Sequence, residues 1–241
     1  MWAIFHKELT LYFSTLTGYI SGGLFLLLSG LTLWLLPGWG NLFETNTASL
    51  APLFTLAPWL FLILVPAVTM RMFAEERREG TLELLLSRPV PLWSVVLGKY
   101  FASVALVFLI LLPTLIFPFF VHKYLAAASS IDFGAMWGSY FGLLLLGAVY
   151  AAVGLFASTL TSNGVVSFLL AVVGCVLLYV GLGELGLLFS GDMRYFLSEL
   201  GIEEHYRSIR RGVVDSRDLL YFLSVIFLFL YAAVRGLRRK G

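Results

Sequence analysis

Charge is what this chain has least of: 12% of its 241 residues are Asp, Glu, Lys or Arg, while 60% are apolar. A soluble domain carries roughly a quarter of its residues charged, so this surface is made for lipid. Cysteine is nearly absent. The single Cys175 excludes an intramolecular disulfide and a cysteine-rich metal motif, and it reads as a packing residue. Acids and histidines are missing from the apolar runs. Glu184 is the one acid near a span, and His6, His122 and His205 all fall in flanking or loop segments, so the proton relay of an ion-driven pump lacks its groups. No His-Glu-x-x-His run exists, and no histidine lies at membrane depth to activate a serine. The chain is therefore read as non-catalytic. Gly98-Lys99 is followed by Tyr100 and has no glycine at the earlier position that a phosphate loop requires. No cofactor is expected on the chain itself, and if the chain moves a substrate against a gradient the energy has to come from a separate partner at the cytoplasmic surface. Bases outnumber acids only 16 to 14 and are spread over several segments, which gives no nucleic-acid footprint. An internal repeat of the inverted-transporter kind is also missing.

What is present is a series of apolar runs, each near the ~20 helical residues that cross ~30 Å of hydrocarbon. They predict an all-α membrane protein of six spans: Gly18–Leu36, Leu50–Met70, Tyr100–Val121 with kinks at Pro113 and Pro118, Gly134–Leu160, Val165–Leu182, and a short last span Leu219–Val234. Residues 1–241 read as one transmembrane domain. Met1 to Thr17 lacks the pattern of a cleaved signal, so the first span is expected to be retained. Lys and Arg set the orientation. With both termini cytoplasmic, the inner side holds Lys7, Arg71, Arg77, Arg78, Arg88, Lys99, Arg235, Arg238, Arg239 and Lys240; five of the remaining six bases lie in one long segment before the last span. The expected location is a membrane crossed several times, with both termini cytoplasmic. Gly134, Gly138, Gly142, Gly147, Ala151, Gly154 and Ser158 string small side chains along the fourth span, which fits either packing within the bundle or a contact between subunits.

Three segments lie outside the spans. Residues 1–17 carry Ile4, Phe5, Leu9, Tyr12, Phe13 and Leu16 beside Lys7 and Glu8, an amphipathic helix suited to anchoring in the interface. Residues 71–99 are the most informative: Gly80 reads as a helix stop, Thr81 as the cap of a new short helix, and Glu83 sits in its first turn. Leu82, Leu84, Leu85 and Leu86, ringed by Glu75, Glu76, Arg77, Arg78 and Glu79, make a docking element or a helix lying on lipid. Residues 183–217 divide at Gly201 and Gly212 into two short helices. Asp215 caps the last span and Asp218 completes an acidic capping box. In that segment His205, Tyr206, Arg207, Arg210 and Arg211 form a candidate outer gate or partner surface; Glu203, Glu204 and His205, being adjacent, are poorly placed to converge on one metal ion.

The order Lys7-Glu8-Leu9, Gly18-Tyr19-Ile20, the run from Glu75 through Gly80-Thr81 to Val90, and Gly98-Lys99-Tyr100 resembles the permease subunits of type-2 ABC exporters over nearly the full chain. The stretch from His205 to Phe222 is most similar to the gliding-motility-associated branch. The resemblance implies a coupling helix that seats in a cytoplasmic ATPase, with that role falling on Glu75, Glu76, Arg77, Arg78, Glu79, Gly80, Thr81, Leu82, Glu83 and Arg88. It further implies an ATPase dimer holding ATP and Mg, a second permease chain, identical or not, and an accessory extracytoplasmic protein. A different class of function, a membrane anchor or assembly subunit without its own pathway, fits the same spans.

Overall fold

A computed structural model of the chain describes residues 1–38, 40–45, 49–86, 90–125 and 132–238, without the side chains of 45, 84–86, 124 and 125. Regular structure among these residues is entirely helical. Six stretches are long and apolar enough to cross a membrane: Leu16–Leu35, Ala51–Arg78, Leu92–Lys123, Phe133–Leu160, Gly164–Leu187 and Ser216–Arg238. Their even number brings the two ends of the chain to one side, here called the terminal face. A separate helix, Trp2–Ser14, precedes the first span, and two more, Asp192–Glu199 and Ile202–Arg210, precede the last.

Two boundaries differ from expectation. The third span starts at Leu92 instead of Tyr100, because Pro91, with φ −63°, leads directly into a helical run. Lys99 is thus two turns inside a helix and not in a loop, about 10 Å from its start. The last span is not the shortest, since Ser216–Arg238 has 23 residues and Leu16–Leu35 has 20; the helix continues through Arg235 and Arg238. Around Pro113 the third span tightens into a 3-10 turn over Leu112–Ile116 and resumes at Phe117, as a ring lacking its N–H requires. The second span, Ala51–Thr69, carries Pro58 and Pro66 within the helix, breaks into a turn, and restarts as Ala74–Arg78.

The fourth span is the axis of the bundle. It is 78% buried, against 22% for the fifth, and it touches the second, third, fifth and sixth spans. Its small residues allow this within one chain. A Cβ on Gly147 would stand 2.6 Å from Val107 Cγ1, and one on Gly154 2.0 Å from Thr69 Oγ1. Thr69 cannot turn aside cheaply, because its buried hydroxyl donates to the Val65 carbonyl at 3.0 Å. Gly154→Ala should therefore push the second and fourth spans apart at a cost of about 1–3 kcal/mol, read as a lowered melting midpoint in detergent; an unchanged midpoint would mean the two helices are not in this contact.

Candidate functional site

Charge gathers on the terminal face, where it is least expected to be buried. Lys99 is 1% exposed and its ammonium has three donors, all of them used: Glu8 Oε1 at 2.6 Å, Glu76 Oε1 at 2.9 Å and the Met72 carbonyl at 2.9 Å. The ring of Phe73 adds a face 5.1 Å from the nitrogen. Lys7 reaches Glu76 Oε1 at 3.1 Å from the solvent side. Burial lowers the pKa of the Lys7 ammonium, but the hydrogen bond to Glu76 and the charges of Glu76, Glu8 and Glu79 outweigh it and leave the value raised. Two cations meet two carboxylates, so the cluster is neutral, as a poorly solvated site demands.

The members come from three segments of the chain. Glu8 and Lys7 lie on the Trp2–Ser14 helix, Met72 and Glu76 on the turn and short helix after the second span, and Lys99 on the third. The amino-terminal helix is held close because a Cβ on Gly98 would stand 3.0 Å from the Met1 carbonyl and 3.1 Å from Ile4. Besides an outward face suited to an interface, the helix therefore has a face that packs on the bundle. Glu8 and Tyr12 are buried against the bundle, while Trp2, Leu11, Phe13 and Leu16 point outward. On its other side the Ala74–Arg78 helix is fastened by Arg77, whose Nη1 donates to the Thr159 carbonyl at the end of the fourth span, 2.8 Å away.

From this fastening the chain extends a tip. Gly80 ends the Ala74–Arg78 turn with φ +71°, and the Thr81–Leu86 helix follows. Thr81 is the first residue of that helix and not its cap; its hydroxyl donates backward to the Glu76 carbonyl at 3.2 Å. Leu82 packs into the core, while Arg78, Glu79, Gly80, Thr81 and Glu83 are exposed. Arg78 pairs with Glu75 at 3.7 Å. Arg88 lies outside the described residues, as do the side chains of Leu84, Leu85 and Leu86. Of the nine described residues in the group predicted from sequence, Glu76, Arg77 and Leu82 are roots, Arg78, Glu79, Gly80, Thr81 and Glu83 are exposed at the tip, and Glu75 is half-buried between them.

The five residues grouped on the opposite face do not converge. Tyr206 and Arg210 point inward to the head of the second span: Tyr206 Oη donates to the Phe54 carbonyl at 2.7 Å and Arg210 Nη1 to Thr55 Oγ1 at 2.8 Å. The Ile202–Arg210 helix fits there because a Cβ on Gly142 would meet Ile209 at 3.1 Å. Arg207 turns outward to Glu203 and Glu204, at 2.8 and 2.9 Å, and the Glu203 hydrogen bond raises its pKa above the usual arginine value. Arg207 and Arg211 share with Glu204, Ser208 and Val213 a shallow depression of about 240 Å³. His205 faces Asp218 instead. Asp215 does cap the last span, accepting from the Arg217 amide at 3.0 Å, but Asp218 does not close a capping box because His205 takes it. Among the described residues no three His, Cys, Asp or Glu side chains gather as a metal site.

Lys99→Met leaves two buried carboxylates against one exposed cation and should cost about 3–5 kcal/mol, as breaking a buried ion pair does. Adding Glu8→Gln and Glu76→Gln to that variant should recover most of the loss in a thermal melt. A triple variant no better than the single would show that the charges are not coupled.

A family model described as ABC-2 family transporter protein matches residues 44–234, which takes in the second to sixth spans and leaves out the amino-terminal helix. Among curated proteins none matches the chain.

Proposed function

The chain belongs to the ABC-2 family of transporter proteins, and from that membership we propose that it is the permease subunit of an ATP-driven type-2 ABC exporter. The observation that carries the coupling role is the exposed tip from Arg78 to Glu83, rooted through Glu76, Arg77 and Leu82 in the third and fourth spans and the amino-terminal helix. A tip that docks an ATPase has to be exposed at its end and stiff at its base. Both conditions hold here, since Glu79 and Glu83 face outward while Lys99 and Thr159 fix the base from two sides.

On this reading the terminal face is cytoplasmic in a bacterial inner membrane. A separate ATPase dimer, binding ATP and Mg, pushes the tip when it closes, and the push passes to the third span through Lys99 and to the fourth through Arg77. The interior of the bundle is filled by Phe25, Phe61, Leu146 and Tyr150, so the cargo path is assigned to the seam between two permease chains. The His205–Phe222 stretch supports a place in the gliding-motility-associated branch, with an accessory extracytoplasmic protein as its partner. Half-buried Arg207 and exposed Arg211 fit that partner's surface better than a gate, because Arg207 turns outward to Glu203 and Glu204 and both arginines line the outer depression.

The structure also selects the variants. Reversing Glu76 would break the buried cluster and report on folding, whereas Glu79→Lys with Glu83→Lys alters the tip alone. The pair should weaken ATPase co-purification by about tenfold, roughly 1.4 kcal/mol, with the melting midpoint unchanged. Full ATPase retention and transport by this variant would remove the docking role; retained ATPase with no cargo moved even by the native chain would point to an assembly subunit.

A further inference from the structure

The opposite face holds a polar contact that force entry at the terminal face does not use. His205 Nδ1 lies 2.7 Å from Asp218 Oδ1, and Nε2 lies 2.8 Å from the carbonyl oxygen of Glu199. A carbonyl oxygen only accepts, so Nε2 carries a hydrogen. A second proton has to lie between Nδ1 and the carboxylate, on either atom, because otherwise two lone pairs confront each other at hydrogen-bond distance. The pair thus holds one proton more than a neutral imidazole beside an ionised carboxylate would, and that proton belongs to the two groups jointly. Tyr221 stacks on the imidazole with ring centroids 3.9 Å apart and 19° between planes, a contact that favours a cationic ring, and its hydroxyl is fixed by the Leu200 carbonyl. Asp218 is 7% exposed, and its Oδ2 is buried with no hydrogen-bond partner among the described residues. A carboxylate stripped of the ring proton would therefore stand in a poorly solvated place.

Three elements meet at this proton: the Ile202–Arg210 helix through His205, the Asp192–Glu199 helix through its last carbonyl, and the last span through Asp218 and Tyr221. The surrounding charges do not substitute for it. Arg207 is committed to Glu203 and Glu204, and Arg210 to Thr55. The preceding helix brings Asp192, Arg194 and Glu199, the last span brings exposed Arg217 beside Asp218, and the fourth and fifth spans bring Tyr140 and Tyr179. We propose that His205 and Asp218 form a proton-dependent latch that ties the Ile202–Arg210 helix to the head of the last span and closes the outer mouth of the bundle. With the proton bound the helix is also tied to the last span; with the proton gone it keeps its Tyr206 and Arg210 anchors on the second span and its seat on the fourth, at Gly142 and through the Ser139 hydroxyl to the Arg210 carbonyl. Closure of an outer mouth rests on the permease reading, whereas the latch itself and its test involve neither ATPase nor cargo.

The chain contains three histidines, so 15N-histidine NMR of the full chain in lipid nanodiscs resolves His205 once His6→Gln and His122→Gln identify the other two. At pH 5.5 both His205 nitrogens should be protonated, and at pH 8.5 one should not. Over the same interval amide protection of residues 202–209, corrected for intrinsic exchange, should fall about tenfold, the effect of losing one charge-assisted hydrogen bond. His205→Gln should abolish that pH dependence. A His205 ring with the same protonation at both pH values would overturn the latch without any variant being needed, and so would a pH-dependent loss of protection that survives in His205→Gln.

Discussion

A buried ammonium is tolerable only when every one of its hydrogens is matched, and the terminal face of this bundle is arranged around that requirement at Lys99. Its three partners come from two other elements, Glu8 on the amino-terminal helix and Met72 and Glu76 after the second span. Taking a charge into such surroundings costs several kcal/mol unless the geometry is complete. Neither element can therefore leave without stranding the others. The same constraint gives the tip its stiffness: Glu76 is fixed by Lys99 and neighbouring Arg77 by the end of the fourth span. In this account function follows from that fixing, since a tip on a loose root would absorb a push and a tip on this root transmits it to the third and fourth spans.

Much of the fold was legible in the sequence because the spans are read from length and apolarity alone, which need no knowledge of neighbours. The division of residues 183–217 at Gly201 and Gly212 was legible for the same local reason. What escaped was pairing. Lys99 and Glu8 stand 91 residues apart, and a buried lysine looks in sequence like a loop lysine; that is also why the third span was started at Tyr100 instead of Leu92. The available signal was Gly98, a residue small enough for another backbone to lie against it immediately before an unexplained charge. Asp218 misled in a similar way. Its spacing from Asp215 fits a capping box, yet a histidine from another helix competes for it and wins.

The small residues of the fourth span left two readings open, and the structure accounts for several of them within one chain. Val107 and Phe61 fill the space at Gly147, Thr69 that at Gly154, and Ile209 and Tyr206 that at Gly142. Those positions are therefore filled from within the chain and not left open for a second one. The two faces of the bundle also differ in kind: the terminal face is held by a neutral four-charge cluster with no histidine in it, and the opposite face by a histidine–aspartate pair that needs an added proton. One is built to stay fixed and the other to be released.

Electron-spin distance measurements between labels at exposed Thr10 and Glu83, made on the assembled transporter with and without bound nucleotide, address the shared rigidity of tip and amino-terminal helix directly. The account predicts one distance in both states, constant within the ~1–2 Å of ordinary helix shifts, while the distance from Glu83 to a label at the head of the last span changes. A Thr10-to-Glu83 distance that lengthens by a helical turn on nucleotide binding would mean that the Lys99 cluster opens during the cycle, and that force does not travel through it.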